Sequence, residues 1–123
     1  VVSTSKKKRR SAILIDRFQR RTLRMLIETG AARLSSMQRD VVCTWGHLDD
    51  PKDAVLLYPS DPLLIRSSAE LLIRAVEQHW LERPEDPGHS WWCQRIIYAL
   101  EGVCGLCERA SRQRIPVYLF TVP

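Results

Sequence analysis

Trp91 to Cys107 reads WWCQRIIYALEGVCGLC, three thiols and two glycines among aliphatic residues. Whether this is one helix or the turn of a zinc site decides the architecture. At helical period Cys93, Ile96, Ile97, Leu100, Val103, Cys104 and Cys107 fall on one apolar stripe, and Ser90 can cap the start. Gly102 and Gly105 oppose such a helix by about 1 kcal/mol each relative to Ala. As metal chemistry, Cys104-x2-Cys107 is a ligand pair that either Cys43 and His47 or His89 and Cys93 would complete. Zinc requires four such groups at about 2.0 to 2.3 Å. Cys93 and Cys104 are eleven residues apart, about 16.5 Å along a helix. The second set therefore needs a helix break, and nothing from Gln94 to Leu100 signals one. Small cysteines are among the most frequently buried residues, so the stripe is preferred over a ligand set and no cofactor is expected. Zinc is the one ion the residues would accommodate.

Upstream, Asp61-Pro62 is a helix start: the carboxylate accepts from free amides, and Pro fits the first helical position. Leu64, Ile65, Ser68, Leu71, Leu72, Ala75, Val76, His79 and Trp80 then make one face, and the helix ends by Arg83, before Pro84. A further helix is expected over Ser11 to Thr29, where Ile15, Phe18, Thr22, Leu23, Leu26 and Ile27 share a face and Gly30 supplies a stop. Val41 to Trp45, Ala54 to Tyr58 and Val117 to Val122 are rich in β-branched or aromatic residues and are expected as short strands. The resulting expectation is an α+β domain over residues 11–123, three helices packed on a two- or three-stranded sheet, with an all-α bundle as the alternative. Residues 1–10, without apolar period, are expected to be a flexible basic arm.

Charge is divided unevenly along the 123 residues. Residues 1–39 hold eleven Lys or Arg against Asp16 and Glu28, a net of +9. The other 84 residues hold eight basic and twelve acidic groups, a net of −4, which gives the formal total of +5. A basic end on a mildly acidic body points to a polyanionic partner. Lys6, Lys7, Lys8, Arg9 and Arg10 resemble a monopartite nuclear localisation signal, and the same cluster would neutralise phosphates. Arg17, Arg20, Arg21 and Arg24 follow at i, i+3, i+4 and i+7, one stripe of the first helix. Salt bridges to acidic residues such as Asp49 or Glu85 would account for the same arginines without a ligand.

Four tryptophans include the pair Trp91-Trp92, residues enriched at protein interfaces when exposed. One is expected to be buried and the other partly exposed. Leu100-x3-Cys104 resembles the start of the elongin-binding box of ubiquitin-ligase adaptors, although Glu108 stands where that box has an aliphatic residue. The resemblance implies partner recruitment and covers about ten residues.

Catalytic motifs are not recognised. His47-Leu-Asp49 lacks the Glu of a zinc deaminase, and Val103 replaces the Pro of its P-C-x2-C. No glycine-rich phosphate loop or G-x-S-x-G occurs, and the apolar run Ala12 to Ile15 is too short for a signal sequence. No catalytic residue is assigned. The chain is expected to be a soluble, non-enzymatic, nuclear and cytoplasmic regulatory protein, of a composition that would suit a viral accessory factor. It would bind an RNA or DNA backbone, use a nuclear import receptor and stay off membranes. The alternative is an adaptor that recruits a protein, or a second copy of itself, through Trp91 and Trp92.

Overall fold

The computed structural model describes residues 2–3, 12–13, 17–39, 41, 58–82, 85–115 and 117–119. Its centre is a pair of long helices, α3 (Pro62–Leu81) and α4 (Pro87–Gln113). Both begin with the same chemistry. The Asp61 carboxylate accepts from the Leu63 amide at 3.0 Å, and the Asp86 carboxylate from the Gly88 and His89 amides at 3.0 and 3.2 Å, each followed by Pro at the first helical position. The cap expected at Ser90 thus lies one turn earlier, at Asp86. Ser90 instead accepts from the Trp80 indole N–H at 2.7 Å, joining the start of α4 to the end of α3.

α4 runs unbroken through Gly102 and Gly105 for 27 residues. Two glycines oppose it by about 2 kcal/mol in all. Against that, Ile96, Leu100, Val103 and Leu106 are essentially inaccessible, and each buried aliphatic side chain stabilises by about 1.5 to 3 kcal/mol. Packing outweighs propensity. Facing them are Ile65, Ala69, Leu72, Ala75 and Val76 of α3, with Cys93, Cys107 and Ala110 completing the α4 stripe.

α1 (Arg17–Glu28) covers this pair with Leu23, Leu26 and Ile27. Gly30, at φ +76°, ends it, and the chain turns back as the Ala32 amide donates to the Leu26 carbonyl at 3.0 Å. A single helical turn, α2 (residues 36–39), follows. Ser35 and Gln38 form its reciprocal cap: the Gln38 amide donates to Ser35 Oγ at 3.2 Å, and the Ser35 amide to Gln38 Oε1 at 2.9 Å. Gln38 Nε2 then donates to Ser67 Oγ on α3 at 3.1 Å.

The expectation of helices packed on a sheet is overturned. The core is helix against helix, and the chain belongs with the all-α alternative. Val41, where the first strand was expected to start, is helical, because the Ser35–Gln38 cap nucleates a turn just before it. Residues 42–57, which carry the rest of that strand and most of the second, lie outside the described residues. What extended pairing there is consists of two- and three-residue segments, β1 (Val2–Ser3), β2 (Ala12–Ile13), β3 (Tyr58–Ser60) and β4 (Val117–Leu119), antiparallel in the order β2-β1-β4-β3. Segments so far below the usual five or six residues make no layer on which helices could pack. Val117 joins the helical core. Val2–Ser3 is paired on both sides; the rest of the segment expected as a flexible basic arm lies outside the described residues. The first helix begins at Arg17 rather than Ser11.

Candidate nucleic-acid interface

The buried residues of α1 fix which way its arginines face. Leu23, Leu26 and Ile27 lie against α3 and α4, whereas Arg21 and Arg24 are exposed on the opposite arc. Arg17 and Arg20 belong to the same arc by helical phase, while their side chains lie outside the described residues. Arg24 Nε pairs with Glu28 Oε1 at 2.9 Å, with the two side chains 60% and 58% exposed. Exposed i,i+4 pairs of this kind are worth about 0.3 to 0.5 kcal/mol. Of the acidic residues considered from sequence as partners, Asp49 lies outside the described residues and Glu85 makes no ion pair among the described residues. Lys6, Lys7, Lys8, Arg9 and Arg10 lie outside the described residues.

Trp91 is exposed and Trp92 partly buried, so neither takes the fully buried position expected of one of the pair. The Trp92 indole N–H donates to Thr22 Oγ1 of α1 at 3.1 Å and its ring packs partly buried against the core. Trp91 is 56% exposed, with the Arg95 guanidinium over its ring, Cζ to centroid 4.9 Å. Tyr98 is 80% exposed. Trp91, Arg95 and Tyr98 stand at i, i+4 and i+7 on α4, one line opposite Cys93, Ile96 and Leu100. Arg95 and Tyr98 were not anticipated as functional, yet their spacing from Trp91 carried the signal.

The described thiols, Cys93, Cys104 and Cys107, and the described histidines, His79 and His89, are engaged in the packing of α3 and α4. Cys93 and Cys107 are wholly buried and Cys104 is half-buried. Burial pushes all three thiols up; Cys107, with Cys104 beside it adding and Arg66 opposing, reaches about 12. Such thiols are neutral at pH 7 and poor nucleophiles. His89 Nε2 is 2.9 Å from the His79 carbonyl oxygen, so that nitrogen donates and must carry the hydrogen. The same nitrogen is 3.7 Å from Cys93 Sγ. It therefore cannot take the thiol proton, and His89–Cys93 is not a catalytic dyad.

With α4 continuous, the ligand set His89, Cys93, Cys104 and Cys107 is not brought together. Cys104 and Cys107 lie on the α3-facing side of α4, with Cys104 Sγ 3.9 Å from the Arg66 carbonyl oxygen. Cys43 and His47, their alternative partners, lie outside the described residues. Among the described residues no three His, Cys, Asp or Glu side chains are grouped to hold an ion. Leu100, the first residue of the elongin-box resemblance, is fully buried. Among the same residues no helix is long and apolar enough to cross a membrane. The chain matches no family model, and no characterised protein or solved structure compared with it is similar.

Proposed function

We propose that the chain is a non-enzymatic regulatory protein that binds the phosphate backbone of nucleic acid through the arginine face of α1, assisted by Lys6 to Arg10, which also serves as its nuclear address. The observation that supports this reading is the orientation of α1: Leu23, Leu26 and Ile27 face the core, which directs Arg21 and Arg24 to solvent. Arg17 and Arg20 share that arc by helical phase, and gathered positive charge favours a polyanion. No base-reading motif accompanies them, so the contact is with backbone rather than sequence.

The alternative, an adaptor recruiting a protein through Trp91 and Trp92, has less surface than the sequence offered. Trp92 is occupied by its bond to Thr22, and Trp91 remains.

The test is fluorescence anisotropy with a labelled 20-nucleotide RNA and the matching DNA duplex, from 50 to 300 mM KCl. Replacing Arg17, Arg20, Arg21 and Arg24 by Ala should weaken binding and flatten the log–log salt dependence by about 0.7 to 0.9 per lost phosphate contact. Circular dichroism checks that the helices persist. Unchanged affinity and unchanged slope in the quadruple variant would remove the proposal.

A further inference from the structure

We infer that Trp91, Arg95 and Tyr98 form a base-stacking face that continues the α1 arginine surface, making single-stranded nucleic acid the preferred ligand. This inference rests on the proposed backbone binding and adds the class of strand.

Continuity comes from Trp92. Its bond to Thr22 fastens the first turns of α4 to the middle of α1, which brings the start of the α4 line towards the helix that carries the arginines. The Trp91 and Trp92 ring centroids are 6.5 Å apart. From Trp91 the exposed line leads over Arg95 to Tyr98, a rise of about 10.5 Å for seven residues, or about three base steps at 3.4 Å per step of one strand.

Rings and cations meet two different parts of a single strand. Guanidinium groups neutralise phosphates, and indole and phenol rings stack on base faces of any identity. In a duplex those faces are already stacked on one another, so the rings gain nothing there, while the arginines of α1 act equally on both. Trp, Tyr and Arg also dominate protein–protein hot spots. What favours nucleic acid is the setting: the residue between the two rings is a cation, and the helix fastened to the start of the line carries further exposed arginines, Arg21 and Arg24. Arg95 already lies over the Trp91 ring, and Trp91 remains more than half accessible.

The experiment measures dissociation constants of the wild type, W91A/Y98A, W91F/Y98F and the α1 arginine quadruple variant. The probes are a 20-nucleotide single strand of mixed sequence and the matching duplex, at one salt concentration, with tryptophan quenching recorded in parallel. Stacking is worth about 1 to 3 kcal/mol per base, so W91A/Y98A should lose at least about tenfold in single-strand affinity, with duplex affinity unaltered. W91F/Y98F, which keeps two rings, should retain most of the binding. Tyr98→Ala alone, at the most exposed site, guards against misfolding of the double variant and should lose roughly fivefold or more. If W91A/Y98A binds the single strand as wild type does while the arginine variant fails, the stacking inference is overturned and backbone binding stands. If the wild type binds neither probe, backbone binding itself falls, and this inference with it. Unaltered oligonucleotide affinity in W91A/Y98A, combined with loss of self-association by light scattering, assigns the face to a second copy of the chain and overturns the inference.

Discussion

Raising the pH from 7 to 10 should destabilise this protein through Cys107. Its thiol is wholly buried between α3 and α4. Burial, with a smaller contribution from Cys104, moves it from an ordinary 9.0 to about 12, against the pull of Arg66. The unfolded chain releases that proton as the pH passes 9.0, whereas the native chain holds it until about 12. Between those values the native state binds more protons, so stability is fully present below pH 9 and declines as pH rises through that window. One pH unit above the unfolded value corresponds to about 1.4 kcal/mol, the loss expected from Cys107 by pH 10. Cys93 and Cys104, both shifted upward by burial, act in the same direction. Urea unfolding followed by circular dichroism at pH 7 and pH 10 measures the total, and Cys107→Ala isolates the residue. The variant starts less stable because packing is lost, but its decline with pH should be smaller than wild type by about 1.4 kcal/mol. A zinc site would behave with the opposite sign. Its thiolates would be ionised at neutral pH, and stability would fall on acidification as protons displaced the metal, or on adding chelator. Equal alkaline declines in wild type and Cys107→Ala, or a chelator-sensitive loss from pH 7 to 5, would refute the reasoning.

Two further outcomes concern the frame that carries the surface. Arg114 ends α4 in the left-handed region, φ 54° and ψ 41°, its amide shared between the Ala110 and Ser111 carbonyls. A residue with a β-carbon is strained there, so Arg114→Gly should raise stability by about 0.5 to 1 kcal/mol, seen as a higher melting temperature; a lower one would show that the Arg114 side chain contributes more than its backbone costs. Trp92→Phe removes the indole donor to Thr22 and should destabilise by about 0.5 to 1.5 kcal/mol. A double-mutant cycle with Thr22→Val should give a coupling of that order, and zero coupling would sever the link drawn between α1 and α4.

Capping residues and periodicity made the two long helices legible before any coordinates. Asp61-Pro62 marks α3 at the position the structure gives it, and Asp86-Pro87 carries the same signature one turn before Ser90, a residue type equally suited to capping. The apolar stripe of α4 was read as far as Cys107 and continues to Ala110, while Ile97 and Cys104 lie at its partly buried edge. Strand propensity misled at Val41, where a β-branched pair follows a reciprocal Ser35–Gln38 cap. Local hydrogen bonding at the cap set the backbone first, and propensity is too weak to reverse it. The arginine arc of α1 was legible from its spacing alone. The α4 line was not, because Tyr98 and Arg95 sit inside a stretch whose thiols drew attention to the opposite face.

The residue types that most often announce chemistry are engaged here in holding helices together. His89 donates to the His79 carbonyl, Ser90 accepts from Trp80, and Cys104 lies against the Arg66 carbonyl. Each joins α4 to α3, and each has its polar or polarisable atom committed to a neighbour. Any chemistry recruiting them would leave a partly buried group unpaired, at roughly 1 to 3 kcal/mol apiece. Trp91 and Tyr98 stand exposed on the side of α4 away from α3. The Arg24–Glu28 pair and the Arg95–Trp91 stack are local, within one helix, and exposed. Exchanging the Arg95–Trp91 stack leaves the core in place, whereas Cys93 and Cys107 are wholly buried within it. That difference in what must be broken is the physical reason for placing recognition on the surface of α1 and α4.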